Sequence, residues 1–469
     1  MKKILFFILL LSFIAMPVFG NDELWNKIDN SEYPDDVLTE ANDVSQEKVI
    51  SGSVENNVDM TLENCIQIAL GNNPEINSAF QNILVSDAKI KQVWSKYFPV
   101  ISWQTGWSHI KQLQLSDALS RNLEYEYYLL GDIGLKQLLY DFGVTQNQAT
   151  IQRLGYESDK VTFASVVNDV IYRTKNAYYK LQLAYETEKV AQNTVEKYQE
   201  FYEEAKALYQ MGMNPKVDVT IALANLSSSK IQLIQAKNMV NTSIAELNNV
   251  MGIPYVAKYT INENLEFVPI DITFERTIEI ADSSRPELKL AQIQVEKANQ
   301  NVKLLKKSFL PTLNTEWEYQ RGGKSWNSND GWRVGVYLNF TALNFRLIES
   351  QIKEAKYQYD RELAHSRRIQ NDVYLEIQTS YLKLNEKKNQ IPVAELQVRQ
   401  AQENYDLSNG RYSVGEASPI ELKEAENTLR NSKLTYYNAL YEYNSARAEL
   451  ERSIGQNLPV STDTIELNK

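Results

Sequence analysis

The sequence is poor in cysteine, in histidine and in long apolar runs. Its 469 residues include one cysteine, Cys65, and two histidines. A single cysteine cannot form an intramolecular disulfide, so the fold has to be stable without one. After the first twenty residues no apolar run approaches the roughly 18 residues that a membrane-spanning helix needs. If the chain enters a membrane, it must do so through β-strands.

A strongly basic surface and a metal-binding pattern are missing too. The formal net charge is −11, and no segment is basic enough to indicate a nucleic-acid partner. His109 and His365 fall on a predicted strand and on a predicted long helix, far from metal-ligand spacing. Because no nucleophile, metal site or cofactor site emerges, we expect a protein that is not an enzyme.

The first sixty residues contain two processing and linker segments. Lys2 and Lys3 precede an apolar run that ends in Val18-Phe19-Gly20, a pattern typical of a secretory signal peptide over residues 1–20. Residues 21–60 form an acidic N-terminal leader with eleven acidic residues against two lysines. Its composition predicts an extended, solvated linker, and a partner-binding acidic arm is the alternative.

The rest of the chain is a duplication. The stretch TLENCIQIALGNNPEI at 61–76 returns as TFERTIEIADSSRPEL at 273–288, an offset of 212 residues. Fixed-period self-similarity of this kind determines the fold prediction. It predicts a first structural repeat at 61–252 and a second at 273–455. An equatorial connector, 253–272, joins them, and a C-terminal equatorial tail, 456–469, follows.

The second repeat is the shorter one. Tyr209-x-x-Gly212 matches Tyr412-x-x-Gly415 at an offset of 203, nine fewer than at the start of the repeat. Other matches confine the missing nine residues to the part that corresponds to 99–139. We therefore expect the loop near 108–122 to be longer than the loop at 321–331.

Each repeat contains one predicted β-hairpin, at 99–140 and 311–342. Apolar and polar residues alternate there with strand period, and Trp103, Trp107, Trp317 and Trp332 lie on the apolar side. Four strands of roughly ten residues with this alternation fit a transmembrane barrel. The alternative is a soluble two-hairpin sheet, which would need a partner layer.

The remaining segments predict helices. Residues 144–210 contain no proline and predict a helix of about 100 Å. Its counterpart contains Pro392, which predicts a bend or local unwinding. Gly212 and Gly415 mark the turns into the shorter helices that follow. Four strands are too few to close a barrel, whereas a trimer would supply twelve.

The two turns carry a specific resemblance. The segments LYQMGMNPKVDVTIALANL and RYSVGEASPIELKEAENTL resemble the Tyr-x-x-Gly turn and following helix of the TolC-like outer-membrane efflux family. The resemblance implies a mainly α fold with a transmembrane β part, built from a duplicated helix-strand-strand-helix-helix unit. It implies a trimeric 12-stranded β-barrel, four strands per chain, continuous with a long periplasmic α-helical barrel.

The resemblance also implies partners and a location. The protein would be the exit duct of a tripartite efflux or type I secretion system in the outer membrane of a Gram-negative-type bacterium. Its partners would be two more copies of the chain, a periplasmic adaptor (membrane fusion) protein, an inner-membrane pump of the RND, ABC or MFS type, and outer membrane lipid. The alternative is a periplasmic coiled-coil scaffold or adaptor without a pore.

Finally, the resemblance implies a gate at the periplasmic tip. Alignment on the Tyr-x-x-Gly turn places its tyrosine, aspartate and acidic-ring positions on Tyr412, Asp218, Glu421 and Glu424. The position of the gate arginine falls on Ala417, a departure from the family pattern, and Lys216 is a candidate substitute. For Glu421 and Glu424 an equal alternative is that they are acids favoured at a helix N-terminus by the helix dipole.

Overall fold

The computed structural model describes residues 59–114, 121–213, 215–254, 259–261, 265–324, 329–340, 345–414 and 416–456. The predicted signal peptide, nearly all of the acidic leader, Gly415 and residues 457–469 of the predicted tail lie outside these ranges. The described chain forms two compact units. A sheet unit takes residues 82–159 and 292–365, and a helical unit takes 59–81, 160–291 and 366–456.

The two repeats have the same order of helices and long strands, as predicted, and each also has a short strand that lies before its predicted start. The first consists of β1 (Asp59–Met60), α1 (Leu62–Asn72), α2 (Pro74–Trp94), β2 (Val100–Gln114), β3 (Arg121–Tyr140), α3 (Val144–Gln210) and α4 (Lys216–Met251). The second consists of β4 (Thr260–Ile261), α5 (Phe274–Ser284), α6 (Pro286–Lys307), β5 (Thr312–Gly323), β6 (Asn329–Asn339), α7 (Phe345–Ser413) and α8 (Pro419–Ile454). The short strands β1 and β4 pair in parallel.

The first helix of each repeat begins and ends through the same local chemistry. Thr61 and Thr273 are the N-caps, and their hydroxyls accept from the backbone N–H of Asn64 and Arg276. Each helix ends at a residue with extended backbone that precedes a proline, and the proline opens the next helix. A residue before proline avoids the helical region, while proline fits a first helical turn.

The C-terminal ends of α1 and α5 lie against Gly252 and Gly455, the residues at which α4 and α8 end. Gly252 and Gly455 adopt φ of 69° and 74° as left-handed C-caps. A Cβ on Gly252 would lie 2.5 Å from the carbonyl oxygen of Asn72, and one on Gly455 would lie 2.9 Å from that of Ser284. Both the backbone angle and the close approach therefore require glycine.

The core of the helical unit is apolar along the inward faces of the helices. In the second repeat the fully buried side chains of this core include Ile377, Tyr443, Leu450 and Ile454. The Tyr443 hydroxyl accepts from the N–H of Ile270 at 3.1 Å and donates to the carbonyl of Val268 at 2.9 Å. These bonds fix the predicted connector against α8, because a buried tyrosine hydroxyl needs polar partners.

Ion pairs at the two helix-proline junctions differ between the repeats. In the first repeat Arg173 pairs with Glu75. The position that corresponds to Arg173 in the second repeat is Glu376, and its partner is Arg285, at 2.5 Å. Arg285 is buried and also lies 2.7 Å from Glu287. The arginine at this junction therefore comes from α3 in the first repeat and from the residue between α5 and α6 in the second.

The long strands form one antiparallel sheet in the order β2-β3-β5-β6. Register brings the predicted apolar residues into rows across the sheet, because directly opposite residues share a face. One row is Ile101, Leu135, Trp317 and Val334, and the next is Trp103, Ile133, Tyr319 and Trp332. The opposite face carries polar rows that include ion pairs of Arg333 with Glu318 and of Lys136 with Glu316.

The two hairpins differ in the length of their strands. β2 and β3 have 15 and 20 residues, against 12 and 11 in β5 and β6. Residues 108–114 and 121–122 belong to β2 and β3, so the predicted bounds of the loop are wrong. The extra residues do lie in the first hairpin, as predicted, and residues 115–120 between its strands are outside the described ranges. Cross-strand hydrogen bonds extend the ladder as long as both strands supply backbone partners.

The two long helices have 67 and 69 residues. α7 is continuous through Pro392, so the local unwinding considered for that site is absent, while the bend stays a prediction. Ile391 and Ala394 beside the proline are buried in the core, and tertiary packing of this kind overrides a local helix-breaking preference. None of the described helices combines the length and the apolar character that would carry it across a membrane.

The glycine contacts lead to a stability prediction. Gly252→Ala should lower the free energy of unfolding by about 2 kcal/mol, because alanine is strained in the left-handed region and its Cβ meets the Asn72 carbonyl. The matched control is Gly155→Ala inside α3, where a Cβ meets nothing within 4 Å. That change should raise stability by up to about 1 kcal/mol. Thermal unfolding followed by circular dichroism measures both, and equal shifts would contradict the analysis.

Candidate functional site

The first predicted tip turn ends α3 through a glycine. Gly212 has φ of 78°, and its N–H donates to the carbonyl of Tyr209 while that of Met213 donates to Leu208, both at 2.9 Å. This is the hydrogen-bond pattern of a Schellman C-cap. Pro215 then precedes α4, which begins at Lys216 with Asp218 in its first turn. The turn leaves Met211 and Met213 largely exposed.

The second turn is closed by different contacts. The carbonyl of Arg411 accepts from the N–H of Glu416 at 2.8 Å and from that of Ala417 at 3.3 Å. Ser418 is the N-cap of α8, and its hydroxyl accepts from the N–H of Glu421 at 3.2 Å. This contact is half of a capping box and places Glu421 in the first turn of α8.

Arg411 is the cation that the sequence reasoning missed. Its guanidinium lies 2.8 Å from the carboxylate of Glu421 and donates to the carbonyl of Glu416 at 3.3 Å. It thereby joins the end of α7 to the start of α8 in one chain. The family alignment pointed to Ala417 because it sought an arginine after the tyrosine. A cation in the last turn of a helix, which the helix dipole favours, was the available signal.

The structure brings Tyr412 and Asp218 into electrostatic range of each other. The pKa of the Tyr412 hydroxyl is raised, chiefly by burial and then by the negative charges of Glu204 and Asp218. Residues from the two repeats thus share one environment. Lys216 and Glu424 are exposed, and neither forms an ion pair within the described ranges.

A buried charge cluster lies two helical turns into α8. The carboxylate of Glu426 is almost fully buried and accepts from the ammonium of Lys197 at 2.9 Å. That ammonium also lies over the ring of Tyr405, 3.8 Å from its centroid. The pair joins α3 to α8, and removing one partner would leave a buried charge without compensation. The sequence reasoning missed it because a buried glutamate looks like a surface acid in a helical pattern.

The residues that the structure describes give no indication of a metal site. Among these residues no three histidine, cysteine or acidic side chains are grouped so that they could hold an ion. Cys65 is buried, and burial raises the pKa of its thiol to about 12, with a smaller effect from Glu63. A thiol with so high a pKa is unreactive at neutral pH.

A four-stranded amphipathic sheet inserted between long helices in a duplicated chain defines the class of outer-membrane channels with a helical periplasmic extension. The profile of the family described as "Outer membrane efflux protein" matches residues 65–253 and 277–456. The chain belongs to this family.

Individual relatives are distant in sequence and similar over most of their length. "Outer membrane protein TolC" of Salmonella enteritidis is 21% identical over 414 residues, which cover 84% of this chain and 82% of that protein. "Probable efflux pump outer membrane protein TtgC" of Pseudomonas putida is 20% identical over 384 residues, with coverage of 79% and 78%.

Solved structures show the same fold. The Campylobacter jejuni CmeC outer membrane channel superimposes with a TM-score of 0.73 at 18% identity, covering 88% of this chain and 91% of that one. CusC superimposes with a TM-score of 0.69 at 16% identity, with coverage of 85% and 93%. The chain therefore has the TolC-like fold. The family match and the curated relatives confirm the expected outer-membrane location and the function class of an exit duct.

The Arg411 contacts generate a local prediction. Arg411→Gln should let the amide hydrogens of Glu416 and Ala417 exchange up to about fivefold faster, because an exposed ion pair contributes up to about 1 kcal/mol. Arg399→Gln is the control, since Arg399 pairs at 3.9 Å with Glu395 inside one helix. Hydrogen exchange followed by mass spectrometry tests this. Unchanged exchange in the Arg411 variant would mean that the backbone alone holds the turn.

Proposed function

We propose that the chain works as a homotrimer, the passive exit duct of a tripartite exporter. A periplasmic adaptor and an inner-membrane pump of the RND, ABC or MFS type would complete the machine and supply the energy. A duct of this kind needs no nucleophile, metal or cofactor of its own, in keeping with a chain that is not an enzyme. The names of the relatives, among them an efflux pump component and a toxin and drug export protein, support this function class.

The observation that carries the proposal is the sheet. It has one apolar face and two edge strands, β2 and β6, and the large apolar side chains Ile101, Trp103, Trp332 and Val334 are more than half exposed. Four strands cannot close on themselves. Three copies supply twelve strands, pair every edge and turn the apolar face toward lipid.

Helical surfaces support the same assembly. Ile231 and Ile234 on α4 and Leu375, Leu382 and Leu396 on α7 are about half exposed or more in a single chain. Apolar residues repeated along a helix at such exposure indicate a surface that another chain covers. Neighbouring copies would cover these stripes.

The alternative, a periplasmic scaffold without a pore, explains the helices equally well. A scaffold has no function for the apolar rows of the sheet, and in water those rows would favour aggregation. The sheet therefore favours the duct over the scaffold.

At the tip we propose a closed state held by two contacts within each chain. One is the Arg411 to Glu421 ion pair that closes the second turn; the other would be formed between Tyr412 and Asp218, which lie in one electrostatic environment across the repeats. Glu424 and Lys216 would face the water-filled mouth. Because Glu421 is neutralised in part by Arg411, Glu424 would carry the larger share of the negative potential there.

Trimer formation is directly measurable. The chain mass is 54.0 kDa before any processing, so detergent-extracted protein should have about three times the mass of one processed chain. Val336→Asp on the apolar face should abolish membrane insertion, because a charge on the lipid face is costly. Asn339→Asp on the polar face of the same strand is the control. A monodisperse monomer in the soluble periplasmic fraction would overturn the proposal.

Cation selectivity tests whether Glu421 and Glu424 line the periplasmic opening of the channel. In planar bilayers the Glu421→Gln, Glu424→Gln double variant should lose selectivity for cations, because up to six carboxylates per trimer would no longer focus a negative potential. Glu424→Gln alone should produce most of the loss. Glu196→Gln, an exposed acid on α3, is the control. Selectivity that survives the double substitution would show that these side chains act only as helix-start acids.

A further inference from the structure

Each of the four places where the chain passes between a helix and a strand presents a large apolar side chain to the outside of the protomer. Phe98 and Leu310 precede the hairpins, and Phe142 and Phe345 follow them. Their exposed fractions are 59%, 43%, 41% and 58%. Phe98 matches Leu310 and Phe142 matches Phe345 in the repeat, so both repeats have retained the feature.

The backbone conformation at Phe142 also supports the view that its exposed position is maintained. Phe142 has φ of 54°, the one left-handed residue other than glycine within the described ranges. A bulky residue is strained there, and such strain persists where surrounding structure enforces it. The following Gly143 and the edge-to-face contact of the ring with Tyr140, 4.8 Å between centroids, hold the side chain at the border between sheet and helices.

Basic side chains lie within seven residues of these apolar positions on the helical side. They are Lys91, Lys96, Lys303, Lys306, Lys307 and Arg346. We call these six the junction band. In a chain of net charge −11, a run of cations at one level of the fold stands out against the rest of the surface.

Acidic side chains do not balance the junction band. Residues 91–99, 140–148, 300–311 and 345–352 contain two acids, Asp141 and Glu349, and Glu349 pairs with Lys353 at 2.8 Å. Asp141 is buried, and it accepts from the Tyr97 hydroxyl at 2.9 Å and from the backbone N–H of Gly143 and Thr145. Its charge is therefore used inside the turn that opens α3.

The partners that the side chains of the junction band already have do not neutralise most of its positive charge. Lys91 pairs with Asp87 at 2.6 Å and Lys303 lies 3.8 Å from Glu296, both at exposed positions. Lys96 and Lys307 bind uncharged oxygens, of Gln148 and of the Gly143 backbone. Lys306 and Arg346 form no ion pair with any residue that the structure describes, and both are exposed.

We propose that the junction band binds the anionic headgroups of phospholipids in the membrane leaflet that faces the periplasm. The exposed aromatic and leucine side chains would sit at the border of the hydrocarbon, where aromatic rings are favoured. The long lysine and arginine side chains would reach the phosphates beside them. The inference rests on the proposed membrane-spanning sheet and adds a lipid class and named residues to it.

The test compares two fourfold variants in vesicles of stated composition. One carries Lys91→Gln, Lys303→Gln, Lys306→Gln and Arg346→Gln. The matched control carries Lys189→Gln, Lys206→Gln, Lys230→Gln and Lys237→Gln, four exposed lysines of the helical unit. Each protein is reconstituted in phosphatidylcholine alone and in three parts phosphatidylcholine to one part phosphatidylglycerol, and the lipid that remains bound after mild detergent extraction is quantified by mass spectrometry.

The parent and the control should retain phosphatidylglycerol over phosphatidylcholine by about tenfold or more, since each cation near an anionic surface contributes a several-fold preference. The band variant should lose most of that preference. Raising the salt concentration should weaken the preference of the parent as screening increases. An undiminished preference in the band variant, or an equal loss in the control, would overturn the proposal.

A measurement on the unmodified protein covers the case in which the band variant fails to fold. Amine-reactive labelling of Lys91 and Lys306 should be slower in the phosphatidylglycerol vesicles than in phosphatidylcholine alone. Equal labelling would place these cations in the water-filled interior and overturn the proposal. A flotation measurement separates the lipid proposal from the proposed membrane-spanning sheet. Protein that floats with neither vesicle composition would contradict the membrane-spanning sheet, whereas equal labelling contradicts only the lipid proposal.

Discussion

Unpaired backbone groups along the two edge strands are the constraint on which the rest of this molecule depends. β2 and β6 each have a neighbour on one side only. In hydrocarbon an unsatisfied N–H or C=O costs several kcal/mol, so a sheet with open edges cannot remain there alone. In the proposed homotrimer, neighbouring copies would pair these edges, and the apolar rows would face lipid while the charged rows would face inward.

The duplication supplies both hairpins of the sheet from one repeated unit. The two repeats differ in sequence where the backbone geometry allows it. The capping threonines, the prolines and the left-handed glycines occur in both repeats because each does a backbone task that few other residues can do. The ion pairs at the same junctions have changed. Arg173 pairs with Glu75 in the first repeat, whereas Arg285 pairs with Glu376 in the second. Charges can be relocated because any cation within reach satisfies the acid.

Several features could be predicted because they depend on neighbours in sequence. The rows that contain Trp103 and Trp317 follow from alternation, and the closures at Gly212 and Gly252 follow from helix-end chemistry. Other features escaped prediction. The burial of Glu426 against Lys197 and the binding of Glu421 by Arg411 depend on which helices lie side by side. Continuity of α7 through Pro392 and the long strands of the first hairpin likewise depend on the packing or pairing that surrounds them.

By itself, therefore, the sequence determined the duplication, the order of helices and strands and the face of each strand, since these follow from periodicity, capping and turn residues within short windows. The tertiary structure decided which charges meet, which acid is buried and which exposed residues lie at one level of the fold. Lys307 and the carbonyl of Gly143, 164 positions apart, meet only in the folded chain. Electrostatic and interfacial contacts join residues distant in sequence, so no local pattern contains them.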